Sequence, residues 1–492
     1  MTPARLIVAL LATVALLGAA TPAPSPSATP PPVIGPMVTV TAEPGPPTEH
    51  WLLVSDVHFN PFADPALVDA LASAPVSGWE ALFRSSTQRA PSGYGTDTND
   101  VTLDSALTAM RLADPVPDVV VIDGDFLAHG FQSLFQKDAR VHGDAQYRAF
   151  VDKTIAYLAL RFGETFPSAQ FVPSIGNNDS YCGDYESTPG SPFLAHFAAA
   201  WGGLVNRHGA ADTFDPGVAN GFVSGVSAAG HYVTGVPGTS MRLVVPNSVV
   251  WSSHYTNRCG NPKTDPTRAE LNWLAAALHP ATGAPPTIVI THIPPGIDVY
   301  SSLQGKTPVL TYADAPNTEV PALLDAPAAG VSLMLTGHFH TDGFRIVGFG
   351  GPHPVPLLTV PSISPIFGNA PAFVDARVFP RTATIVDATT YAMGGLPALS
   401  SGAPTTIAWN AEYSYHLAFH LPGLDANGLH ALQDELVSDP TIRADFEKWF
   451  VSGSPVEQMT DVNWPAYWCA DVDLTVASWE SCLAQQPGTA HQ

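Results

Sequence analysis

The most constraining feature of this sequence is a pattern that recurs five times, in which a short apolar run is followed closely by Asp, Asn or His. The runs span residues 51–55, 119–122, 170–175, 287–290 and 332–335, and helical patterns lie between them, for example over 103–111 and 268–278. Strands that alternate with helices predict an α/β fold, in which largely parallel strands are covered by helices. Ligands of such sheets bind beyond the carboxyl ends of the strands, so the polar residues after these runs are candidates for one common site.

The residues that follow the runs are of metal-binding types: Asp56, His58, Asp125, Asn177, His292, His338 and His340. Any one of them, taken singly, is more often a loop or hydrogen-bonded residue than a metal ligand. Together they bring carboxylate, imidazole and amide groups to one edge of a sheet, and this mixture suits Zn, Mn or Fe. The order of the ligands is that of a two-metal phosphoesterase, so the sequence predicts a dinuclear site.

The motifs around these residues resemble those of the calcineurin-like metallophosphoesterases: SDVHF, DGDFLAH, GNND, THIPPG and GHFH. Within that superfamily, THIPPG at 291–296, His129 in DGDFLAH and PSISPIFGNAPAF at 361–373 are similar to segments of the acid sphingomyelinase-like branch. The resemblance runs from about residue 51 to 415. We expect no Cys-rich saposin segment ahead of it, a layout closer to the sphingomyelinase-like phosphodiesterases than to acid sphingomyelinase itself.

The resemblance implies a four-layer αββα sandwich. Amphipathic helical patterns over 424–450 and 474–485 predict a small helical subdomain after it, from about residue 419. The resemblance also implies two divalent ions, most readily Zn with Mn or Fe as alternatives, and a bridging hydroxide that attacks phosphorus. Carried over residue by residue, it assigns Asp56, His58, Asp125 and His340 to the first ion. It assigns Asp125, Asn177, His292 and His338 to the second ion, so that Asp125 bridges the two.

One residue departs from the family pattern, because Asn178 stands where the family usually has a His that protonates the leaving oxygen. Asn donates hydrogen bonds but cannot give up a proton, and loss of a general acid costs roughly 10²- to 10⁴-fold in rate. One interpretation is that His129 takes over as the acid, so His129 and Asn178 are the catalytic candidates. A good leaving group such as phosphate, or a weak or non-catalytic protein, are the alternatives. Asn in this position also resembles the endopolyphosphatase-like members, which favours a good leaving group.

Three further residues near these motifs are weaker candidates. Asp179 closes the GNND motif and is expected to orient a ligand from its loop. Tyr185 follows the same motif and His254 lies in WSSHYTNRC, and both are hypothesised to line the pocket. For Tyr185 a structural role is equally plausible. For a His such as His254 a structural role is the more common one.

The predicted function is a metal-dependent phosphoric ester hydrolase, specifically a phosphodiesterase for a small phosphodiester such as a sphingomyelin-like headgroup or a nucleotide. The alternatives are an endopolyphosphatase or nucleotide pyrophosphatase, and a non-catalytic metal-binding module. A net charge of −23 with only 20 Lys and Arg argues against a nucleic-acid polymer as partner and against polybasic recruitment to a membrane. Two divalent ions, less two carboxylates and a hydroxide, leave about one positive charge, which favours a small substrate.

The chain divides by composition into a signal peptide at 1–20, a Pro/Ser/Thr-rich linker at 21–48, a catalytic domain at 49–418 and a helical subdomain at 419–492. No apolar run of about 18 residues follows the signal, so we expect an exported protein, secreted or periplasmic, without a transmembrane segment in the mature chain. The four Cys of an exported chain suggest two disulfides, with Cys469 and Cys482 paired and Cys182 left with Cys259. Free buried thiols are the alternative.

Overall fold

The computed structural model describes residues 33–34, 47–208, 221–258, 264–279, 284–348, 353–396 and 407–486. Its strands are β1 (Val33–Ile34), β2 (Glu49–Val54), β3 (Val119–Ile122), β4 (Gln170–Pro173), β5 (Tyr232–Gly235), β6 (Arg242–Val245), β7 (Thr287–Ile290), β8 (Val331–Thr336), β9 (Gly343–Val347), β10 (Val355–Thr359), β11 (Ala372–Phe379), β12 (Thr384–Gly394) and β13 (Ala408–Ser414). Each of the five predicted apolar runs contains a strand, β2, β3, β4, β7 or β8.

The helices begin with α1 (Val68–Ser73), α2 (Trp79–Ser85), α3 (Asp100–Ala113), α4 (Phe131–Asp138), α5 (Asp144–Thr165), α6 (Pro192–Val205) and α7 (Phe222–Ala229). They continue with α8 (Thr267–Leu278), α9 (Val299–Gly305), α10 (Asp314–Leu324), α11 (Tyr415–Phe419), α12 (Ala426–Ser438), α13 (Pro440–Phe450), α14 (Trp464–Val472) and α15 (Val476–Gln485). Short 3₁₀ turns lie at Pro65–Leu67, Val76–Gly78 and Ser248–Trp251.

The strands form two mixed sheets, with the orders β1-β13-β12-β11-β2-β3-β4 and β5-β6-β7-β8-β10-β9. The strands that the apolar runs predicted are parallel to one another, β2 with β3 and β4, and β7 with β8. The expectation of largely parallel strands is wrong for part of each sheet. Strand β9 pairs antiparallel with β10, which is itself parallel to β8, and β11 pairs antiparallel with both β2 and β12. The connection between β11 and β12 consists only of residues 380–383, and antiparallel neighbours can be joined in this way without the crossover helix that parallel strands need.

The two sheets share one core, as the alternation of side chains along β7 makes clear. Ile288 and Ile290 belong to the large buried cluster that also contains Leu52 and Val120 of the first sheet. Val289, between them, belongs instead to the smaller cluster formed with α8 and α10. Because successive side chains of a strand point to opposite faces, one face of this sheet meets the other sheet and its second face meets helices. Helices α3 and α5 contribute to the large cluster as well, and the predicted αββα sandwich is confirmed.

The C-terminal residues are helical, but the pattern predicted over 424–450 is divided into two helices. Asp439 ends α12, and its carboxylate accepts a hydrogen bond from the Thr441 amide at 2.8 Å while Pro440 opens α13. Pro cannot supply the amide that an unbroken helix would need, whereas it fits the first turn of a new one. Helices α12 and α14 pack against β9.

A disulfide joins the last two helices. Cys469 of α14 and Cys482 of α15 are bonded, with 5.8 Å between their Cα atoms, which confirms the predicted pair. Cys182 is also disulfide-bonded, and its predicted partner Cys259 lies outside the described residues. Among the described ranges, no helix combines the length and apolar character needed to cross a membrane.

Candidate metal centre

The seven predicted ligands lie together where the carboxyl ends of β2, β3, β4, β7 and β8 meet. Backbone hydrogen bonds join the loops that carry them. The amide of His58 donates to the Asp125 carbonyl at 2.8 Å, and the amide of Gly337 donates to the His292 carbonyl at 2.9 Å. The first bond fixes two ligand loops of one sheet to each other, and the second does the same for two loops of the other sheet.

One group of donors consists of Asp56, His58 and His340, all buried. Nε2 of His58 lies 3.2 Å from Nε2 of His340, and Nε2 of His340 lies 3.3 Å from Oδ1 of Asp56. Oδ1 of Asp56 lies 3.7 Å from Nε2 of His58. Two imidazole nitrogens and one carboxylate oxygen thus face a common point, which is the arrangement that a divalent ion needs.

A second group is centred on His292. Its Nε2 lies 3.0 Å from Oδ1 of Asn177 and 3.3 Å from Oδ2 of Asp125, and the ring of His338 is centred 5.3 Å from its ring. The same Asp125 oxygen lies 3.4 Å from Nε2 of His58 in the first group. Asp125 is therefore the carboxylate between the two groups, the position that the resemblance gave it.

The donor set fits the two divalent ions that the resemblance implies. Oδ1 of Asp56 is buried and has no hydrogen-bond partner among the described residues. The two donor groups together contain four imidazoles. An unsatisfied buried carboxylate oxygen is costly, and a bound cation would satisfy it. Carboxylate, imidazole and amide donors match the preferences of Zn, Mn and Fe.

The backbone at the ligands is strained. Asp56, His58, Asp125, His338 and His340 have φ values of 47°, 40°, 51°, 73° and 60°. Residues other than Gly rarely adopt this left-handed region, and such strain is found mainly where function requires it. Gly176 permits the close approach of two ligand loops, since a Cβ there would lie 2.1 Å from the amide nitrogen of Asp125.

Backbone carbonyls orient two of the imidazoles. Nδ1 of His58 lies 3.0 Å from the Leu127 carbonyl, and Nδ1 of His292 lies 2.7 Å from the Asp123 carbonyl. A proton on Nδ1 donates to each carbonyl and leaves Nε2 free to bind a metal. The Asp179 carboxylate accepts from the Gly176 amide at 2.9 Å and joins its loop to the loop after β3, in agreement with its expected orienting role.

The pKa values at the site indicate that its carboxylates are stabilised by nearby positive charge. Burial raises the pKa of Asp56, but the imidazoles of His340 and His292 outweigh burial and hold this pKa well below its usual value. Burial opposes protonation of His58 and His292 as well, yet Asp125 and Asp56 raise their pKa values to about 9 and about 10. Bound cations would take the place of these protons, because metal ligands bind in their deprotonated forms.

The two catalytic candidates lie on different sides of this centre. Asn178 donates to Asp125 twice, from its backbone amide to Oδ1 at 2.7 Å and from Nδ2 to Oδ2 at 3.0 Å. His129 stacks on His58, with ring centroids 4.2 Å apart, and its side chain is 33% exposed. Its Nδ1 lies 3.0 Å from Oδ1 of Asp97, and its backbone amide donates to Oδ2 of the same carboxylate at 2.9 Å.

The sequence analysis missed Asp97 and Phe367. Asp97 lies in the loop before α3 and completes a third group of potential donors with His58 and His129. The Phe367 ring is centred 4.7 Å from the His340 ring and 5.5 Å from the His129 ring. Phe367 was part of a quoted motif, whereas nothing in the spacing of Asp97 indicated that it would reach His129.

The weaker candidates Tyr185 and His254 lie beside each other at the rim. Their rings are 5.2 Å apart, and the Tyr185 ring is 6.2 Å from that of His338. Tyr185 has a left-handed backbone, with φ of 55°, and its amide donates to the Asn177 carbonyl at 2.9 Å. Tyr185 is therefore fixed to a candidate ligand loop, with His254 against it.

Comparison with known proteins settles the family. The model of the family described as calcineurin-like phosphoesterase matches residues 51–342. The chain belongs to the calcineurin-like phosphoesterase family. The match contains all seven candidate ligands together with His129 and Asn178, and the prediction of a metal-dependent phosphoric ester hydrolase is confirmed.

Curated relatives lie in the expected branch of the calcineurin-like phosphoesterases. Sphingomyelinase phosphodiesterase D of Dictyostelium discoideum is 24% identical over 73% of this chain and 75% of its own length. Acid sphingomyelinase-like phosphodiesterase 3b of Mus musculus is 24% identical over 82% of both chains. The Homo sapiens protein of the same name is 23% identical over 84% of both. The resemblance to sphingomyelinase-like phosphodiesterases is therefore confirmed.

Proposed function

We propose that this calcineurin-like phosphoesterase is a secreted dinuclear phosphodiesterase that hydrolyses a small phosphodiester, such as a sphingomyelin-like headgroup or a nucleotide. The observation that carries the proposal is the position of Asp125. Its Oδ2 lies 3.3 Å from Nε2 of His292 and 3.4 Å from Nε2 of His58, between two donor groups. A carboxylate in that position can be shared by two ions at the spacing typical of two-metal hydrolases.

In this proposal Asp56, His58, Asp125 and His340 would hold the first ion, and Asp125, Asn177, His292 and His338 would hold the second. When bound, the two ions, which we propose to be zinc, supply a nucleophile at neutral pH and neutralise charge on the phosphoryl oxygens. Asn177 is uncharged, so it adds a donor oxygen without cancelling more of the positive charge. Asp184 accepts a hydrogen bond from Nδ2 of Asn177 at 2.7 Å and thereby turns Oδ1 toward His292.

His129 is the proposed proton donor to the leaving oxygen. With Nδ1 directed at Asp97, the Nε2 atom of its partly exposed ring is available to the substrate. A carboxylate on the far nitrogen fixes the orientation of an imidazole and stabilises its protonated form. Asn178 contributes a hydrogen-bond donor on the other side, where its amide is held against Asp125.

A small substrate is supported by charge and by the relatives. The chain carries a net charge of −23, so the positive charge of the site comes from the ions and is local. A long polyanion would have to approach a negative protein surface, whereas one phosphodiester meets only the centre. The names of the relatives, sphingomyelinase phosphodiesterase and acid sphingomyelinase-like phosphodiesterase, support a small phosphodiester headgroup as substrate.

The test is a combined measurement of metal content and hydrolysis on the purified chain. We expect about two transition-metal ions per chain and hydrolysis of bis(4-nitrophenyl) phosphate that a chelator abolishes and zinc or manganese restores. A protein that binds the ions but hydrolyses no phosphate ester, even one with a good leaving group, would instead be a non-catalytic metal-binding module. A protein that binds no ions would contradict both.

A second candidate function is hydrolysis of phosphoanhydrides, as in an endopolyphosphatase or nucleotide pyrophosphatase. The specific observation in its favour is Asn178, whose amide faces Asp125 at 3.0 Å where the family usually has a titratable donor. Phosphate leaves without prior protonation more readily than an alcohol does, so such a site has less need of an acid. A panel of polyphosphate, nucleoside diphosphates and choline phosphodiesters decides between the two, since this candidate requires clearly faster anhydride cleavage.

Export is part of the proposal as well. We propose a signal peptide at 1–20, a linker at 21–48, a catalytic domain at 49–418 and a helical subdomain at 419–492, with the mature protein secreted or periplasmic. The disulfide between Cys469 and Cys482 is in keeping with an oxidising compartment. Mass spectrometry of the protein recovered from the medium or periplasm tests this, because export predicts loss of about the first 20 residues.

A further inference from the structure

Phe367 is an exposed aromatic side chain at a site otherwise made of polar groups. It is 47% exposed, and its ring edge meets both His340 and His129 with interplanar angles of 78° and 87°. Exposure of a single apolar side chain is common in proteins and does not by itself indicate a binding site. Here, however, the ring stands beside the proposed proton donor and beside a candidate metal ligand.

The turn that carries Phe367 is held from two directions. On one side, the Gly95 amide donates to the Pro365 carbonyl at 3.0 Å. On the other side, Nε2 of Gln458 donates to the Phe367 carbonyl at 3.0 Å, and Oγ of Ser454 donates to the Gly368 carbonyl. Both of the latter donors belong to the segment that follows α13, and they lie 91 and 86 residues further along the chain than their acceptors.

Packing adds to these hydrogen bonds. Gly368 has φ of 92°, and a Cβ at this position would lie 2.9 Å from Cγ1 of Val456. Val456 is itself 39% exposed, and its amide donates to Oγ of Ser454 at 3.1 Å. Phe367 and Val456 therefore mark a small apolar surface on a turn whose conformation the C-terminal segment fixes.

We propose that Phe367 is a specificity-determining residue that contacts the apolar part of the leaving group, and that Ser454 and Gln458 are positioning residues for it. The inference rests on the proposed function, since the leaving oxygen must lie near His129 to receive its proton. An organic group on that oxygen would then lie beside the Phe367 ring. The predicted substrates are phosphodiesters whose leaving group carries an aryl or alkyl group, and the C-terminal segment sets this preference.

The test is direct binding of two phosphonates to the metal-reconstituted full chain by titration calorimetry, because neither compound is hydrolysed. Phenylphosphonate presents an apolar ring and methylphosphonate does not. We expect the native protein to bind the phenyl compound about tenfold more tightly. Phe367→Ala should bring the two affinities to within about twofold by weakening phenylphosphonate alone, and Phe367→Leu should retain part of the preference.

The positioning residues are tested in the same assay. Ser454→Ala and Gln458→Ala should each lower the preference for phenylphosphonate about threefold, and Ser454→Thr, which keeps the hydroxyl, should preserve it. In kinetics with an aryl phosphodiester, both Ala variants should raise KM more than they lower kcat. Leu112→Ala is the control, because Leu112 is 51% exposed near the end of α3, at the edge of the sheet opposite the site.

The outcomes separate this inference from the proposed function. A native protein that binds both phosphonates equally well, or a Phe367→Ala variant that weakens both alike, would overturn the inference and leave the phosphoesterase centre intact. A Phe367→Ala variant that loses bound metal would show that the ring only covers His340, which also overturns it. A native protein that carries its metal and binds neither phosphonate would contradict the proposed function itself.

Discussion

Two clusters of buried carboxyl groups in this protein have opposite ionisation. At the metal centre, Asp56 and Asp125 have pKa values lowered from the usual range, because nearby imidazoles outweigh the effect of burial. Under the C-terminal helices, burial raises the pKa of Asp342 to about 6, and burial together with Asp342 raises that of Glu412 to about 8. The same kind of side chain is thus charged in one cluster and tends to be neutral in the other.

The neighbours account for the difference. Asp342 accepts hydrogen bonds from the hydroxyls of Thr390 at 2.6 Å and Tyr413 at 2.8 Å, which satisfy a carboxyl group without bringing charge. Asp56 has imidazoles around it, and its Oδ1 has no hydrogen-bond partner in the part of the chain that the structure describes. A charged carboxylate with an open oxygen attracts a cation, whereas a neutral and hydrogen-bonded one does not. Burial of acids alone therefore does not identify a metal site, and the surrounding groups do.

The largest expected effect comes from removal of the carboxylate shared by the two donor groups. Asp125→Ala should lose at least one of the two ions and lower kcat/KM for bis(4-nitrophenyl) phosphate on the order of 10³-fold, since the ions provide several kcal/mol of transition-state stabilisation. Glu412→Gln is the matched control from the other cluster and should keep both metal content and activity. Elemental analysis with steady-state kinetics measures this, and full metal occupancy in Asp125→Ala would show that this carboxylate is not needed to hold the ions.

A third carboxylate, Asp97, contacts the proposed proton donor His129 and so bears on proton transfer. Burial raises its pKa, but the hydrogen bond from His129 and the charges of His58 and His129 outweigh burial and lower it. His129→Ala should reduce the rate about 10²-fold or more for alkyl leaving groups and much less for 4-nitrophenolate, which needs no proton. Asn178→Ala should slow both substrates alike, because it removes only a hydrogen-bond donor. Equal losses for both substrates in His129→Ala would exclude His129 as the acid.

Asn178 allows the opposite experiment, in which an acid is added. Asn178→His should raise the rate for poor leaving groups about tenfold and leave 4-nitrophenyl and phosphoanhydride substrates unchanged. The imidazole would stand next to Asp125, the carboxylate that now accepts from the Asn178 amide. Rates for a series of leaving groups of increasing pKa measure the effect. A uniform gain across the series would mean that Asn178 does not mark a missing acid.

The strand ends explain how much of this site the sequence could predict. Asp56, Asp125, Asn177 and His292 each follow an apolar run, and parallel strands bring such residues to one edge, so their convergence followed from pattern alone. Asp97 could not be found in this way, because it lies in a loop before α3 and reaches His129 only through the fold. Side-chain pairs of this kind depend on how loops pack, which has no period along the chain.

The rest of the fold was predictable to different degrees. The parallel strands have continuous apolar runs because both faces are buried, and these runs were recognised. Strands β12 and β13 mix buried positions with half-buried ones and with polar residues, and the antiparallel strands β11 to β13 were not assigned. The segment after α13, which carries Ser454 and Gln458, was expected only as part of a helical subdomain. The hydrogen bonds that these two side chains donate to the turn of Phe367 join residues about ninety positions apart, which no local sequence pattern indicates.

The smallest expected effect is on the pH dependence of the free energy of unfolding, and it comes from Glu412 in the second cluster. Its pKa is raised from 4.5 to about 8 in the folded protein. Between these values the unfolded chain releases the proton while the folded chain keeps it, so stability falls as the pH rises through this window. Glu412→Gln cannot ionise and should escape that loss. It should change stability little at pH 5 and raise it by at least about 1 kcal/mol at pH 8.5 relative to the native protein.

Thermal or denaturant unfolding of the chelator-treated protein at the two pH values measures this difference without contributions from bound metal. Glu480→Gln, on the exposed surface of α15, is the control for loss of one surface charge and should have the same effect at both pH values. A Glu412→Gln variant that is equally destabilised at both would mean that Glu412 is ionised in the folded protein. The second cluster would then be charged like the metal centre, and neutral carboxyl groups would not be what keeps it from requiring a cation.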